Sequence, residues 1–145
     1  MIIFVGQQPS KASQPAEALA GIAGRRLAKL IGIPYQRYLM HYRVNVNARF
    51  PGAKNGKGDG FDMLEGVGKA KELTDLTFDE DLIVLCGARV TRVFGLPYEP
   101  MKIVVLRGIK HLILPHPSGR NRYWNHPEHR DYCFALFRNE FSKLL

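Results

Sequence analysis

Ile109-Lys110-His111-Leu112-Ile113-Leu114-Pro115-His116-Pro117-Ser118-Gly119-Arg120-Asn121-Arg122-Tyr123-Trp124-Asn125 carries the reading of this chain. The apolar run Ile109–Leu114 predicts a buried strand, which ends abruptly where Pro115 and Pro117 remove backbone donors and restrict φ. Gly119 permits a tight turn. The loop then presents a histidine, a serine, two arginines and two asparagines, a set suited to holding a phosphate backbone and a base edge together.

Similar apolar runs occupy residues 2–5 and 82–85, and 103–106 supplies another strand candidate. Between them the period changes. Leu19, Ile22, Ala23, Leu27, Leu30 and Ile31 fall on one face of a helix over 16–31, with Pro15 suited to its first position and Gly32 to its stop. Residues 34–50 are mixed and aromatic, reading as a short helix followed by an irregular segment at 44–47. A glycine-rich loop with Lys54 and Lys57 covers 51–60, either closing over a substrate or connecting in solvent. Helices follow at 61–73, 88–94 and 127–144, the last packing Tyr132, Ala135, Leu136 and Phe141. Continuous apolar strands flanked by helices predict an α/β fold of one domain over residues 1–145. The expected architecture is a three-layer sandwich around a central, mostly parallel four-stranded sheet, with ligands beyond the carboxyl ends of the strands. The turn Gly6-Gln7-Gln8-Pro9-Ser10 and the His116 loop both leave such ends.

Composition narrows the classes. Lys and Arg number 21 against 13 Asp and Glu, a net charge of +8, and the pI is near 9.7. That balance favours a polyanionic partner, nucleic acid first. Only Cys86 and Cys133 are present, which excludes a four-cysteine cluster and suits a reducing cytoplasm. The opening apolar run is too short for a signal peptide, and no stretch approaches a membrane span. His111, His116, His126 and His129 raise the idea of a metal, with His126 and His129 one helical turn apart. No carboxylate or cysteine completes that pattern, so neither metal nor cofactor is expected. Gly21-x-x-Gly24 lies inside a helix and not in a strand-to-helix turn, which removes it as a dinucleotide fingerprint.

Gly6-Gln7-Gln8-Pro9 after the first strand and His116-Pro117-Ser118-Gly119-Arg120-Asn121 after the last resemble the two signature motifs of the uracil-DNA glycosylase superfamily. The second motif is especially similar to that of the single-strand-selective monofunctional uracil glycosylases. The short chain and the extension Asn121-Arg122-x-Trp124-Asn125 resemble small phage and bacterial members. The resemblance implies a monomeric, cofactor-free DNA glycosylase of the uracil-DNA glycosylase-like fold. It would hydrolyse the N-glycosidic bond of uracil or another altered pyrimidine in single- or double-stranded DNA, leaving an abasic site.

Such cleavage passes through an oxocarbenium-like sugar and a departing base anion, so charge on the pyrimidine must be stabilised and water placed at the sugar. By the resemblance, His116 hydrogen-bonds a carbonyl oxygen of the leaving base. Ser118 holds a phosphate, Arg120 stands at the wedge position that fills the vacated stack, and Arg122 holds a flanking phosphate, with Gly119 and Asn121 completing the DNA-binding loop. Gln8 stands where the family carries an aspartate or, in some branches, an asparagine. A glutamine orients water through its amide oxygen but accepts no proton as a carboxylate does. Gln7 touches base or sugar, and Gly6, Pro9 and Ser10 complete that turn. Asp59 and Asp62 are alternative sources of a carboxylate. Asn45 and Asn47 stand where relatives often place a base-reading asparagine, Asn45 being favoured, although an asparagine in an irregular stretch also caps backbone. Phe50 and Tyr38 are candidate platforms under the base, and each also reads as core. Two alternatives stay open: a catalytically silent relative that binds damaged or modified DNA, and a nucleoside hydrolase using the same pocket.

Overall fold

The apolar runs are strands because both of their faces are covered. In chain order the elements are β1 (Ile2–Gly6), α1 (Gly21–Ile31), α2 (Tyr35–Tyr38), β2 (Tyr42–Asn45), α3 (Met63–Leu76), β3 (Leu82–Cys86), α4 (Ala88–Val93), β4 (Ile103–Leu106), β5 (Ile109–Leu114) and α5 (Pro127–Glu140). This computed structural model describes residues 1–8, 18–48 and 60–145.

The sheet has five strands in the order β2-β1-β3-β5-β4. The first four are mutually parallel, and β4 lies antiparallel to β5. Alternate residues divide between two cores. Ile2, Phe4, Leu82, Val84, Cys86, Leu112 and Leu114 join residues of α1 and α5 on one face. Ile3, Val5, Ile83, Leu85 and Ile113 join residues of α3 and α4 on the other. Side chains alternate across a strand, so coverage on both sides requires the unbroken apolar sequence seen in β1 and β3. Cys86 and Cys133 both lie in the first core. Burial pushes the Cys133 thiol up to about 12 and that of Cys86 higher still, so neither is a reactive thiolate.

The expected four-stranded sheet is corrected to five by one added strand. Residues 42–45 form an edge strand and not part of an irregular segment, pairing in parallel from Ile3 with Tyr42 to Gly6 with Asn45. With only four residues, two of them polar, the segment has no legible period; pairing to β1 makes it a strand. β4, expected as a strand at 103–106, turns into β5 through Arg107 (φ 53°) and Gly108 (φ 78°). Two consecutive positive φ values suit a two-residue hairpin that matches strand twist. Neighbouring runs separated by Arg-Gly therefore pair antiparallel.

Helix boundaries shift for equally local reasons. Leu19 and Gly21 take φ of 51° and 60°, so α1 begins at Gly21 and not at residue 16; Pro15 lies outside the described residues. Ile22, expected on the buried face, is 77% exposed. Gly32 closes α1 in the left-handed conformation, its N–H reaching Ala28 O and Lys29 O, as its sequence position predicts. In α5, Cys133 and Phe137 face the core, whereas Tyr132 is exposed and so is Ala135. The helix ends at Glu140, and residues 142–144 continue as a 3-10 turn.

Candidate functional site

Four parallel strands place their carboxyl ends on one edge of the sheet. That edge carries Gly6-Gln7-Gln8 after β1, Asn45 to Asn47 at β2, Gly87 after β3 and His116 after β5. The chain turns to opposite faces after β1 and β3, the arrangement that opens a crevice in doubly wound sheets. β3 separates β1 from β5, so the Gln8 and His116 turns start two strand spacings apart, about 10 Å. Gly87 occupies the interval at φ 107°, a side-chain-free position; a Cβ there would stand 3.6 Å from His116 Cβ.

The His116 loop is tied down from below. Trp124, 6% exposed, donates its Nε1–H to Pro115 O and His116 O, each at 3.2 Å. Asn121 donates from Nδ2 to His116 O at 3.1 Å while its Oδ1 accepts Tyr123 N–H at 3.1 Å. Asn121 thus braces the loop with one donor and one acceptor of its amide. Trp124 anchors the loop in place.

The imidazole has a defined tautomer. Ser118 N–H donates to His116 Nδ1 at 3.1 Å, so Nδ1 keeps its lone pair and the proton of the neutral ring sits on Nε2. Burial lowers the His116 pKa from its ordinary value of 6.5. Near neutral pH the ring is therefore an uncharged donor through Nε2–H. Ser118 is half-buried, and Gly119, Arg120 and Arg122 are exposed.

The two asparagines separate clearly. Asn47, 1% exposed, donates from Nδ2 to Asp62 O at 2.9 Å and accepts Asp62 N–H at 2.7 Å. Its amide is consumed in joining the segment after β2 to the start of α3, and it is corrected from base reader to brace. Asp62 in turn caps α3 by accepting Glu65 N–H, while Glu65 Oε1 accepts Ala48 N–H. That cap takes up one oxygen of the exposed Asp62 carboxylate and fixes it at the start of α3. Asn45 differs. It is 8% exposed, its Nδ2 has no hydrogen-bond partner among the described residues, and its Oδ1 would stand 2.6 Å from a Cβ on Gly6. Gly6 is therefore needed for Asn45 to sit beside β1.

Gln7 Nε2 donates to Gln8 Oε1 at 3.4 Å, and both side chains are half-buried. Gln7 O accepts Asn47 N–H at 2.9 Å, which carries the β1–β2 pairing one step past the strands. Tyr38 is fully buried and donates its hydroxyl to Leu19 O at 2.6 Å, so it is core and not a base platform. Pro9, Ser10, Phe50, Lys54, Lys57 and Asp59 lie outside the described residues.

His111 and His129 have structural surroundings. His111 is buried in β5 with Nδ1 on Ile109 O. His129 stacks on Tyr123 at 3.8 Å and bonds its carbonyl. Among the described residues no three of His, Cys, Asp and Glu converge as metal ligands. No described helix is long and apolar enough to cross a membrane.

Sequence reasoning missed the support of this edge. Arg43 donates to Ala18 O at 3.0 Å, and Arg26 of α1 lies against Gly119, 2.7 Å from where its Cβ would be. Neither had a motif to mark it, because both contacts join segments distant in sequence. The class defined by fold and site is an α/β protein whose parallel strands carry polar residues along one carboxyl edge. Comparison with protein-family models and with curated protein sequences finds no match to this chain.

Proposed function

We propose that this protein is a monofunctional DNA glycosylase, of the uracil-DNA glycosylase type, that removes uracil or another altered pyrimidine from a nucleotide turned out of the DNA stack. The observation that carries the reading is the placement, along one sheet edge, of a buried Asn45 Nδ2 with no partner among the described residues and a neutral His116 donor. Four parallel strands in the order β2-β1-β3-β5, with the two motif-bearing turns after β1 and β5, support it.

In this reading Asn45 Nδ2–H donates to an acceptor on the base edge, which satisfies a buried donor that no described residue satisfies. His116 Nε2–H donates to a pyrimidine carbonyl oxygen, and the bond strengthens as the glycosidic electron pair moves onto the base. A neutral donor suits this step, because it stabilises the anion without having to give up a proton. Gln8 orients a water toward the sugar carbon through its amide oxygen. No carboxylate is needed if bond breaking runs well ahead of water attack: the water, once bonded to the oxocarbenium carbon, is strongly acidic and gives its proton to the departed base anion or to solvent. The exposed Arg120 enters the vacated stack, and Ser118 and Arg122 hold adjacent phosphates.

The test is excision from a panel of oligonucleotides, each with one altered base, read by alkaline strand scission. The expected result is cleavage at one or a few pyrimidines, abolished in His116→Ala and slowed in single-turnover by Gln8→Ala. Binding without scission across the panel supports the silent relative instead, and release of base from free nucleosides supports the hydrolase.

A further inference from the structure

A groove of about 650 Å³ lies between α1 and α5, outside the crevice just described, with Arg26, Lys29, Pro117, Trp124, Arg130 and Phe134 among its walls. Three cations face one acid there, Asp131. Arg26 and Lys29 are exposed and form no ion pair among the described residues. Arg130 is held in place by donating from Nη1 to Trp124 O at 2.7 Å. Such a cluster leaves net positive potential that solvent ions must balance, and a polyanion releases those ions on binding.

The groove also has an aromatic wall. Phe134 is 45% exposed, one part of its ring packed on Gly32, and Arg138 sits 5.0 Å from its centroid. An exposed ring beside cations is the combination that takes a nucleobase and its phosphate together. Continuity with the His116 loop decides the direction. Pro117 follows His116 directly, and Gly119 rests on the Arg26 guanidinium, where a larger residue would hold the two apart.

We propose that this groove is a track for single-stranded nucleic acid, taking backbone phosphates on Arg26, Lys29 and Arg130 and a base on Phe134 as the strand leaves the His116 crevice. The direction of the strand rests on the glycosylase reading; the binding itself does not.

Trp124 makes the proposal directly measurable, because it is the only tryptophan in the chain and it lines the groove. Unmodified oligodeoxythymidylate is titrated into the wild-type protein and into His116→Ala, with indole emission and anisotropy read over a range of salt. Emission is expected to change on binding in both, since the groove does not need His116. In Arg26→Gln/Lys29→Gln the log-log salt slope is expected to fall by about 1.4, from about 0.7 per single-strand phosphate contact. Phe134→Ala is expected to weaken binding about tenfold. All three substituted side chains are exposed, so circular dichroism should show these variants folded. An unchanged salt slope, no response of Trp124, or equal binding of inorganic polyphosphate would each overturn the track. A protein that fails the excision panel yet shows these binding changes refutes the glycosylase reading alone.

Discussion

Asn45 and Asn47 are two residues apart and chemically identical, and the structure predicts opposite consequences for replacing them. Asn47→Ala removes a donor and an acceptor from a site 1% exposed, leaving Asp62 N–H without the bond at 2.7 Å that satisfied it; Asp62 C=O loses its bond at 2.9 Å but still accepts Gly66 N–H at 3.1 Å. One orphaned N–H and one lost hydrogen bond should together cost about 1–3 kcal/mol, which at roughly 3 °C per kcal/mol for a domain of this size lowers Tm by about 3–9 °C. Asn45→Leu removes an Nδ2 that has no partner among the described residues. Replacing an unsatisfied buried amide by an apolar group of similar volume should change stability by less than about 1 kcal/mol or raise it. Its effect falls on function: loss of excision, or of altered-base binding, with Tm preserved. Thermal unfolding by circular dichroism alongside the excision panel reads both quantities. Equal destabilisation by the two variants, or a larger loss from Asn45→Leu, would refute the division of labour between brace and reader.

Further outcomes follow from the same geometry. His111 is fully buried with its pKa lowered by burial, so the unfolded chain, titrating near 6.5, takes up a proton that the folded state refuses. Stability should therefore fall as pH drops below about 6.5, by up to about 1.4 kcal/mol per pH unit for this group, and His111→Leu should flatten that slope in urea melts at pH 5 to 7. His116 protonation would place a hydrogen where Ser118 N–H now donates; excision should decline in acid with a midpoint below 6.5, measured as a single-turnover pH profile. Gly87→Ala meets no clash, its Cβ standing 3.6 Å from His116 Cβ, so its cost of about 1–3 kcal/mol comes from φ 107° alone and should appear in chemical denaturation. Trp124→Phe deletes the indole donor to Pro115 O and His116 O, and should cost about 1–2 kcal/mol and slow excision while leaving the helical circular dichroism signal intact.

Much of the architecture was legible because burial on both faces writes itself as uninterrupted apolar residues. Residues 2–5, 82–85 and 109–114 are strands for that reason, and Gly32 ends a helix because few other residues adopt its backbone. The turns bearing Gln8 and His116 were legible too, since each follows such a strand directly. What a short, polar segment becomes is different. Tyr42–Asn45 is a strand only because β1 offers it unpaired backbone groups, and β4 runs antiparallel only because Arg107 and Gly108 close a two-residue turn. The roles within the crevice were likewise undecided along the chain: Asn45 and Asn47 look interchangeable until Asp62, 15 residues beyond Asn47, takes up one amide and not the other. The chain alone determined the buried strands β1, β3 and β5 and the turns that leave their carboxyl ends, because those depend on local burial period and backbone restriction. Tertiary structure alone decided which polar groups remain free to meet a ligand, because a hydrogen-bonding group is spent or spared by partners that only folding brings within reach.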